Sequence, residues 1–287
     1  MTWFVQLFLS CRMKKIFLIL LLGLPAKHSK AGEADTINVF SASMHKEVRC
    51  VVIRPANYAD STRRYPVVYL LHGYGGSYSQ WPKLAPQLKS KADELQLIMV
   101  CPDGGVGSWY LDSPVDSAFR YETFVSGELV SYVDEHFRTQ ADRNHRAITG
   151  LSMGGHGGLY LAIRHHDLYG AAGSTSGGVD FRPFPKNWDL AKRLGDTVCC
   201  KQNWDANVVI NLADSLHRGD LKLIIDCGTG DFFLQVNRNL HQKLLQLNME
   251  HDYTERPGAH NNNYWRSSID YQLLFFKKFF DEVVMRE

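Results

Sequence analysis

The sequence is poor in cysteine and has little excess of charge of one sign. Its 287 residues include six cysteines, 32 basic side chains and 30 acidic ones, for a formal net charge of +2. After residue 31 there is no basic stripe, which argues against nucleic acid as a partner. Hydrophobic residues at 45% and charged residues at 22% are ordinary globular values and exclude a mostly disordered or collagen-like chain.

The cysteines form neither a disulfide framework nor a metal site. Five of them follow residue 31, an odd number, and Cys50 and Cys101 fall in predicted strands. Cys199 and Cys200 are adjacent in the chain, which disfavours a bridge between them. No Cys/His cluster has the spacing of metal ligands, so no metal is predicted.

A hydrophobic run of membrane-spanning length is also missing. The apolar run at residues 16–24 would be about 13 Å long as a helix, against about 30 Å for a membrane core. Two lysines precede it, and a small-x-small site ends at Ala31. This layout predicts a signal peptide at residues 1–31, a secreted or periplasmic protein, and no membrane association after its removal. The alternative is an uncleaved anchor.

Short apolar runs alternate with amphipathic segments over the rest of the chain. The runs predict strands at residues 48–53, 66–71, 97–101, 146–149, 171–174 and 221–225. Strands buried on both faces and separated by helices predict an α/β fold with a mostly parallel sheet between two helical layers. The alternation stops at about residues 178–220. We predict one domain over residues 32–287, with that stretch as an insertion over the carboxyl edge of the sheet.

The segment Gly-Leu-Ser-Met-Gly at residues 150–154 carries the strongest chemical signal. It follows a predicted strand and opens the predicted helix Met153–Arg164. Because the turn from strand to helix is sharp, glycines must flank the central residue, and the Ser152 hydroxyl stands above the sheet. The helix N-terminus beside it favours negative charge. Ser152 is therefore predicted to be a nucleophile.

A serine hydroxyl needs a base, and the base needs an acid that orients it. In hydrolases with this turn the order along the chain is serine, acid, histidine. Asp231 lies in a loop after the strand at 221–225, and His260 lies just before the last predicted helix. Both could reach Ser152. Asp226, at the end of the strand, is the alternative acid or a cap of the turn.

Two backbone N–H groups are expected to bind the negative oxygen of a tetrahedral intermediate. One belongs to Met153. The other belongs to the loop His-Gly-Tyr-Gly-Gly at residues 72–76, where we choose Tyr74. The alternative for this loop is an ordinary tight turn. A phosphate-binding loop is disfavoured because no Gly-Lys-Ser/Thr follows.

These segments resemble the esterase D-like α/β-hydrolases, which include S-formylglutathione hydrolases, feruloyl and acetyl xylan esterases of carbohydrate esterase family 1, and mycolyltransferases. The matching segments are residues 71–76, 108–113, 150–155, 227–231 and 258–260. The resemblance implies an α/β-hydrolase fold, with nucleophile, acid and base on Ser152, Asp231 and His260. It also implies that Trp109 and Tyr110 lie near the substrate pocket. The alternative for these two is core aromatics beneath a loop.

Together with the signal peptide, the resemblance implies a secreted serine carboxylesterase. The expected partner is a small-molecule or carbohydrate-linked ester, acyl or feruloyl, and the acyl-enzyme mechanism implies no cofactor. One alternative is a thioesterase of the S-formylglutathione hydrolase type. Another is an acyltransferase that passes the same acyl group to a sugar hydroxyl. A third is a non-enzymatic binding protein. The oligomeric state is left open.

Overall fold

The computed structural model describes residues 32–284, with side chains up to residue 282. The predicted signal peptide, residues 1–31, lies outside the described residues. Among the residues described, none of the helices has both the length and the apolar character needed to cross a membrane.

Strands and helices alternate along most of the chain. The strands are β1 Glu33–Ser41, β2 Lys46–Arg54, β3 Val67–Leu71, β4 Ile98–Pro102, β5 Arg146–Gly150, β6 Ala171–Thr175, β7 Lys222–Gly228 and β8 His251–Arg256. The α-helices are α1 Gln80–Leu84, α2 Leu88–Leu95, α3 Tyr121–Thr123, α4 Val130–His136, α5 Met153–Arg164, α6 Leu190–Leu194, α7 Lys201–Ala206, α8 Val209–Leu212, α9 Leu234–Gln246 and α10 Asn262–Val284. A π-helix, Phe124–Leu129, joins α3 to α4.

The eight strands form one sheet in the order β1-β2-β4-β3-β5-β6-β7-β8. β2 pairs antiparallel with both β1 and β4, whereas all the pairs from β4 to β8 are parallel. The predicted mostly parallel sheet is therefore confirmed. Because the parallel strands share a direction, the loops that follow β3, β4, β5 and β7 meet at one edge of the sheet.

Side chains of β3 show how the two helical layers form. All five are buried. Tyr69 and Leu71 join the apolar core that includes residues of α5 and α9, whereas Val68 and Leu70 join the core formed with α1, α2 and α10. Successive strand residues face opposite sides, so apolar residues throughout β3 contribute to the cores of both layers.

The sequence pattern does not predict β1 and β8, the two edge strands. Two side chains of β1 are buried and none of β8 is. A strand at the edge of a sheet is partly exposed to water and lacks the continuous apolar run that marks a central strand.

The segment between β6 and β7 contains α6, α7 and α8. It reaches the carboxyl edge of the sheet, where Trp188 contacts the loops after β4 and β7. The carbonyl of Trp188 accepts a hydrogen bond from the indole N–H of Trp109. The indole ring of Trp188 stacks on Phe232.

Candidate active site

Ser152 lies in the turn between β5 and α5. Its backbone has φ 56° and ψ −115°, a conformation that residues with a side chain rarely adopt. The Ser152 N–H donates to the carbonyl of Thr175 (3.0 Å), and the Ser152 carbonyl accepts from the N–H groups of His156 (3.1 Å) and Gly178 (3.3 Å). These backbone hydrogen bonds hold the strained turn in place.

Gly150 and Gly154 flank the turn because a side chain fits at neither position. A Cβ atom on Gly150 would lie 2.5 Å from the carbonyl carbon of Gly154. A Cβ atom on Gly154 would lie 2.3 Å from the carbonyl oxygen of Leu71. The first turn of α5 therefore packs directly on the ends of β3 and β5, which places its N-terminus beside Ser152.

The imidazole of His260 lies between Ser152 and Asp231. Its Nε2 is 2.9 Å from Ser152 Oγ, and its Nδ1 is 2.9 Å from Asp231 Oδ2. A carboxylate on Nδ1 favours the tautomer with the proton on that nitrogen, which leaves Nε2 free to accept the hydroxyl proton. The Asp231 side chain is fully buried and the His260 side chain is 14% exposed. The structure thus brings together the three side chains predicted for the triad.

A hydrogen bond between two loops fixes the position of Asp231 relative to His260. The N–H of Gly230, after β7, donates to the carbonyl of Gly258, before α10 (2.7 Å). The Asp231 carboxylate also accepts a hydrogen bond from the N–H of Phe233 (2.8 Å). Its orientation is therefore fixed by its own loop as well as by the imidazole.

Aromatic rings surround the imidazole of His260. The ring centroids of Phe232, Trp265 and Phe233 lie 4.2, 4.9 and 5.4 Å from it. Phe232 is 50% exposed and stacks on the ring of Trp188 at 5.7 Å with an angle of 17°. We call Phe184, Trp188 and Phe232, which contact one another, the aromatic rim. It borders the site on the His260 side.

The loop after β3 leaves the backbone N–H of Tyr74 free, whereas it uses those of its glycines. Gly73, Gly75 and Gly76 all donate their N–H groups to oxygen atoms of the protein, at distances between 2.9 and 3.0 Å. Within residues 32–284, no acceptor receives the N–H of Tyr74 or that of Met153. The two N–H groups predicted to form an oxyanion hole are therefore available to a ligand.

His72, to which the sequence pattern assigns no role of its own, fixes this loop. The buried ring has Nε2 2.7 Å from the N–H of Gly104 and Nδ1 2.8 Å from the carbonyl oxygen of Gly73. Nε2 must accept the first of these hydrogen bonds, so Nδ1 carries the proton and donates the second. The neutral imidazole thereby joins the loop after β3 to the loop after β4.

Trp109 and Tyr110 are buried in the core beneath the site. Each is at most 1% exposed. The indole N–H of Trp109 donates to the carbonyl of Trp188 (3.1 Å), and the hydroxyl of Tyr110 donates to the carbonyl of His72 (3.0 Å). Neither side chain presents surface to a substrate in the described structure, and the place near the pocket that the resemblance implies stays a prediction. They support the loops of the site from beneath.

Asp226, the alternative acid, takes no part in this site. Its carboxylate accepts hydrogen bonds from Ser268 (2.5 Å), Gln272 (2.7 Å) and Thr175 (3.1 Å), and Arg256 forms an ion pair with it at 3.2 Å. These partners hold it against α10. The described part of the chain also contains no group of three His, Cys, Asp or Glu side chains placed to hold a metal ion.

Comparisons with known proteins agree with this architecture. The sequence profile of the Esterase family matches residues 41–276. Esterase Rv1288 of Mycobacterium tuberculosis (strain ATCC 25618 / H37Rv) is 30% identical over 237 residues, which cover 73% of this chain and 51% of the relative. The chain thus spans about half the length of that relative. Acetyl esterase of Caldicellulosiruptor saccharolyticus is 25% identical over 255 residues, 81% of this chain and 94% of the relative.

A solved structure named ferulic acid esterase has the same fold, with a TM-score of 0.75 and 26% identity. The alignment covers 87% of this chain and 99% of that one. The family profile covers most of the chain, including the positions of Ser152, Asp231 and His260. The chain therefore belongs to the Esterase family and has the α/β-hydrolase fold.

Proposed function

We propose that the protein is a serine carboxylic ester hydrolase that works through a triad of Ser152, His260 and Asp231. One observation carries the proposal: the imidazole of His260 lies 2.9 Å from the Ser152 hydroxyl and 2.9 Å from the Asp231 carboxylate. This is the contact geometry that activates a serine for attack on an acyl group. Membership of the Esterase family supports the same reaction class.

The first half of the reaction forms an acyl-enzyme. Ser152 Oγ attacks the ester carbonyl carbon while His260 Nε2 takes the hydroxyl proton, and Asp231 stabilises the imidazolium through Nδ1–H. The N–H groups of Tyr74 and Met153 donate to the oxygen that becomes negative. Each such donor typically lowers the barrier by about 3 kcal/mol. The intermediate then expels the alcohol, which receives the proton from His260.

Water completes the cycle. His260 Nε2 takes a proton from a water molecule, whose oxygen attacks the acyl carbon on Ser152. The same two N–H groups bind the second oxyanion. Collapse of this intermediate breaks the bond to Ser152, returns the proton to its Oγ and releases the carboxylic acid.

We further propose that the substrate is an acyl or feruloyl ester of a carbohydrate or another small ester. The aromatic rim supports this, because Phe232 reaches from the imidazole of His260 to the surface. Aromatic faces bind apolar acyl groups and phenolic rings. Similar proteins named acetyl esterase and ferulic acid esterase favour the same substrate class.

Replacing the nucleophile tests the reaction. Ser152→Ala is expected to lower kcat for p-nitrophenyl acetate by about 10³-fold or more. It should also abolish labelling by a fluorophosphonate probe. Ser267→Ala, at an exposed position on α10, is the matched control. It should hydrolyse the ester and react with the probe as the wild type does. An unchanged rate in Ser152→Ala, or a folded wild type that the probe does not label, would contradict the proposal.

An ester panel tests the substrate class. We would compare kcat/KM for acetyl, butyryl, feruloyl and S-formylglutathione substrates in the wild type and in Phe232→Leu. Loss of an aromatic contact, worth about 0.5–1.5 kcal/mol, predicts a loss of roughly 2- to 12-fold for the feruloyl ester and less for the acetyl ester. Equal losses would contradict a role of the rim in binding. A clear preference for S-formylglutathione would favour the thioesterase, and acyl transfer to an added sugar would favour the acyltransferase.

We also propose that the protein is secreted or periplasmic. The proposal rests on the charged, apolar and small-residue pattern of residues 1–31. Expression of the full chain followed by N-terminal sequencing should give a mature protein that begins at residue 32. An exported protein that keeps the apolar run would favour the uncleaved anchor.

A further inference from the structure

Cys199 and Cys200 place their sulfur atoms side by side at the surface. The two Sγ atoms are 2.8 Å apart, Cys199 is exposed and Cys200 is half-buried. The other three cysteines of the described chain, Cys50, Cys101 and Cys227, are buried. The adjacent pair is therefore the place on the described surface where thiol chemistry is accessible.

The backbone around the pair directs both sulfur atoms to the same side. The carbonyl of Asp196 accepts hydrogen bonds from the N–H of Cys200 (2.9 Å) and from the thiol of Cys199 (3.7 Å). The side chain of Asp196 accepts a third from the N–H of Val198 (2.7 Å). Cys200 directly precedes α7. The turn before this helix thus holds the two thiols in contact.

We propose that Cys199 and Cys200 are a reversible redox site that closes to a disulfide between adjacent residues by exchange with a low-molecular-weight disulfide such as glutathione disulfide. Adjacency in the sequence argues against such a bridge, because neighbouring Cα atoms lie about 3.8 Å apart and most disulfides span about 4.4–6.8 Å. We nevertheless expect the bridge to form, because the two sulfur atoms are already in contact. The short Cα spacing instead makes the closed form easy to reduce.

The reaction proceeds in two exchanges. The Cys199 thiolate attacks one sulfur of glutathione disulfide, forms a mixed disulfide and releases one glutathione thiolate. Cys200 loses its proton to water and attacks the Cys199 sulfur, which forms the protein disulfide and expels the second glutathione thiolate. The two protein thiols are oxidised and one glutathione disulfide is reduced to two glutathione molecules.

The environments of the cysteines explain why Cys199 attacks before Cys200 and why a buried cysteine does not react. Cys199 is the more exposed sulfur, and the hydrogen bond with Cys199 raises the pKa of the Cys200 thiol. Cys199 is therefore the first to attack, because exchange requires a thiolate with access to the disulfide. Burial raises the pKa of Cys50 to about 12 and keeps that thiol protonated.

Mass spectrometry of the folded protein tests the proposal. The reduced wild type is treated with glutathione disulfide, and the tryptic peptide of residues 194–201 is analysed without reduction. We expect this peptide to lose two hydrogen atoms and to retain no glutathione, and we expect added glutathione to reverse the change. Cys199→Ser and Cys200→Ser, each lacking the resolving partner, should instead retain one glutathione.

The comparison between wild type and variants decides the outcome. A wild-type peptide that stably retains one glutathione would overturn the proposal, as would one that stays fully reduced under conditions that modify Cys200→Ser. Circular dichroism melts check that both variants fold. Esterase activity is not used as a readout, so the result does not depend on the proposed reaction.

Discussion

The hydroxyl of Tyr74 donates a hydrogen bond of 3.0 Å to the carboxylate of Asp189. Asp189 lies 115 residues further along the chain, directly before α6. A hydrogen bond with Lys192 lowers its pKa, so Asp189 is negatively charged at neutral pH. Through this contact the segment between β6 and β7 holds the loop that presents the free N–H of Tyr74. The position of one proposed oxyanion donor thus depends on a distant part of the chain.

Removing the Tyr74 hydroxyl should therefore affect turnover more than binding. The hydrogen bond is exposed and worth up to about 1 kcal/mol, so we expect Tyr74→Phe to lower kcat by up to about fivefold with little change in KM. Steady-state kinetics with p-nitrophenyl acetate measure both constants. Tyr271→Phe, at an exposed position on α10, is the matched control.

A double-mutant cycle separates positioning from substrate contact. Asp189→Asn keeps a residue type that tolerates the φ of 57° found at this position. If the two side chains act through each other, Tyr74→Phe should add little to the effect of Asp189→Asn. A change confined to KM would mean that the hydroxyl contacts the substrate instead.

The close packing of α5 on β3 predicts that Gly154→Ala is strongly destabilising. Its Cβ would lie 2.3 Å from the Leu71 carbonyl oxygen, a backbone atom that cannot move without disturbing the sheet. We expect the free energy of unfolding, measured in urea, to fall by about 3 kcal/mol or more. Gly127→Ala is the control, because no atom outside its own helix turn would lie within 4 Å of the added Cβ, and it should be neutral or slightly stabilising. Equal effects of the two variants would contradict the packing argument.

The sequence predicts the central strands well and the edge strands poorly. Every side chain of β3 is buried, so an apolar run marks this strand in the sequence. In β8 the side chains are exposed or half-buried, and the strand exists because residues 251–256 pair with β7. That pairing is a long-range property, and no local pattern of residues records it.

In the site too, residues that belong to a local motif are predictable from the sequence, whereas residues placed by long-range folding are not. Ser152 lies in a motif whose glycines are needed for the turn, and Asp231 and His260 follow it in the chain order typical of such hydrolases. Asp189 carries no local signal, because its role depends on how the segment around it folds back. Trp109 shows the limit of a resemblance. The family likeness implies a place near the pocket, and the structure buries the side chain beneath the loops of the site.

Asp231→Asn tests how much the orientation of the imidazole contributes. An amide can donate to Nδ1 and so favour the tautomer in which Nε2 carries the proton and cannot accept from Ser152. On the precedent of serine proteases, we expect kcat to fall by roughly 10⁴-fold while the melting temperature changes little. Asp252→Asn, an exposed carboxylate on β8, is the control. A loss below tenfold would mean that Asp231 is not the orienting acid.

His156, one turn into α5, links stability to pH. Its ring is fully buried, with Nε2 2.8 Å from the carbonyl oxygen of Asn207 and Nδ1 3.1 Å from that of Trp109. Burial lowers the pKa of His156 from 6.5 to about 4, although the two carbonyl groups act in the opposite direction. The folded protein therefore keeps this imidazole neutral at pH values where the unfolded chain protonates it.

This difference predicts a loss of stability in mild acid. The contribution of His156 is complete above pH 6.5 and declines as the pH falls towards 4, because the unfolded state binds the additional proton. Between pH 6.5 and 5 the decline should reach about 1.6 kcal/mol, measured as the free energy of unfolding in urea. Carboxyl groups of lowered pKa, such as Glu122 at about 2, act mainly below 4.5. Burial also lowers the pKa of His241, which contributes to the pH dependence in the same window. The part that belongs to His156 is therefore the difference between the wild type and His156→Gln. His156→Gln should reduce the change of the free energy of unfolding with pH. His166→Gln, at an exposed position, should leave this change as it is in the wild type. An unchanged pH dependence in His156→Gln would assign it to other groups.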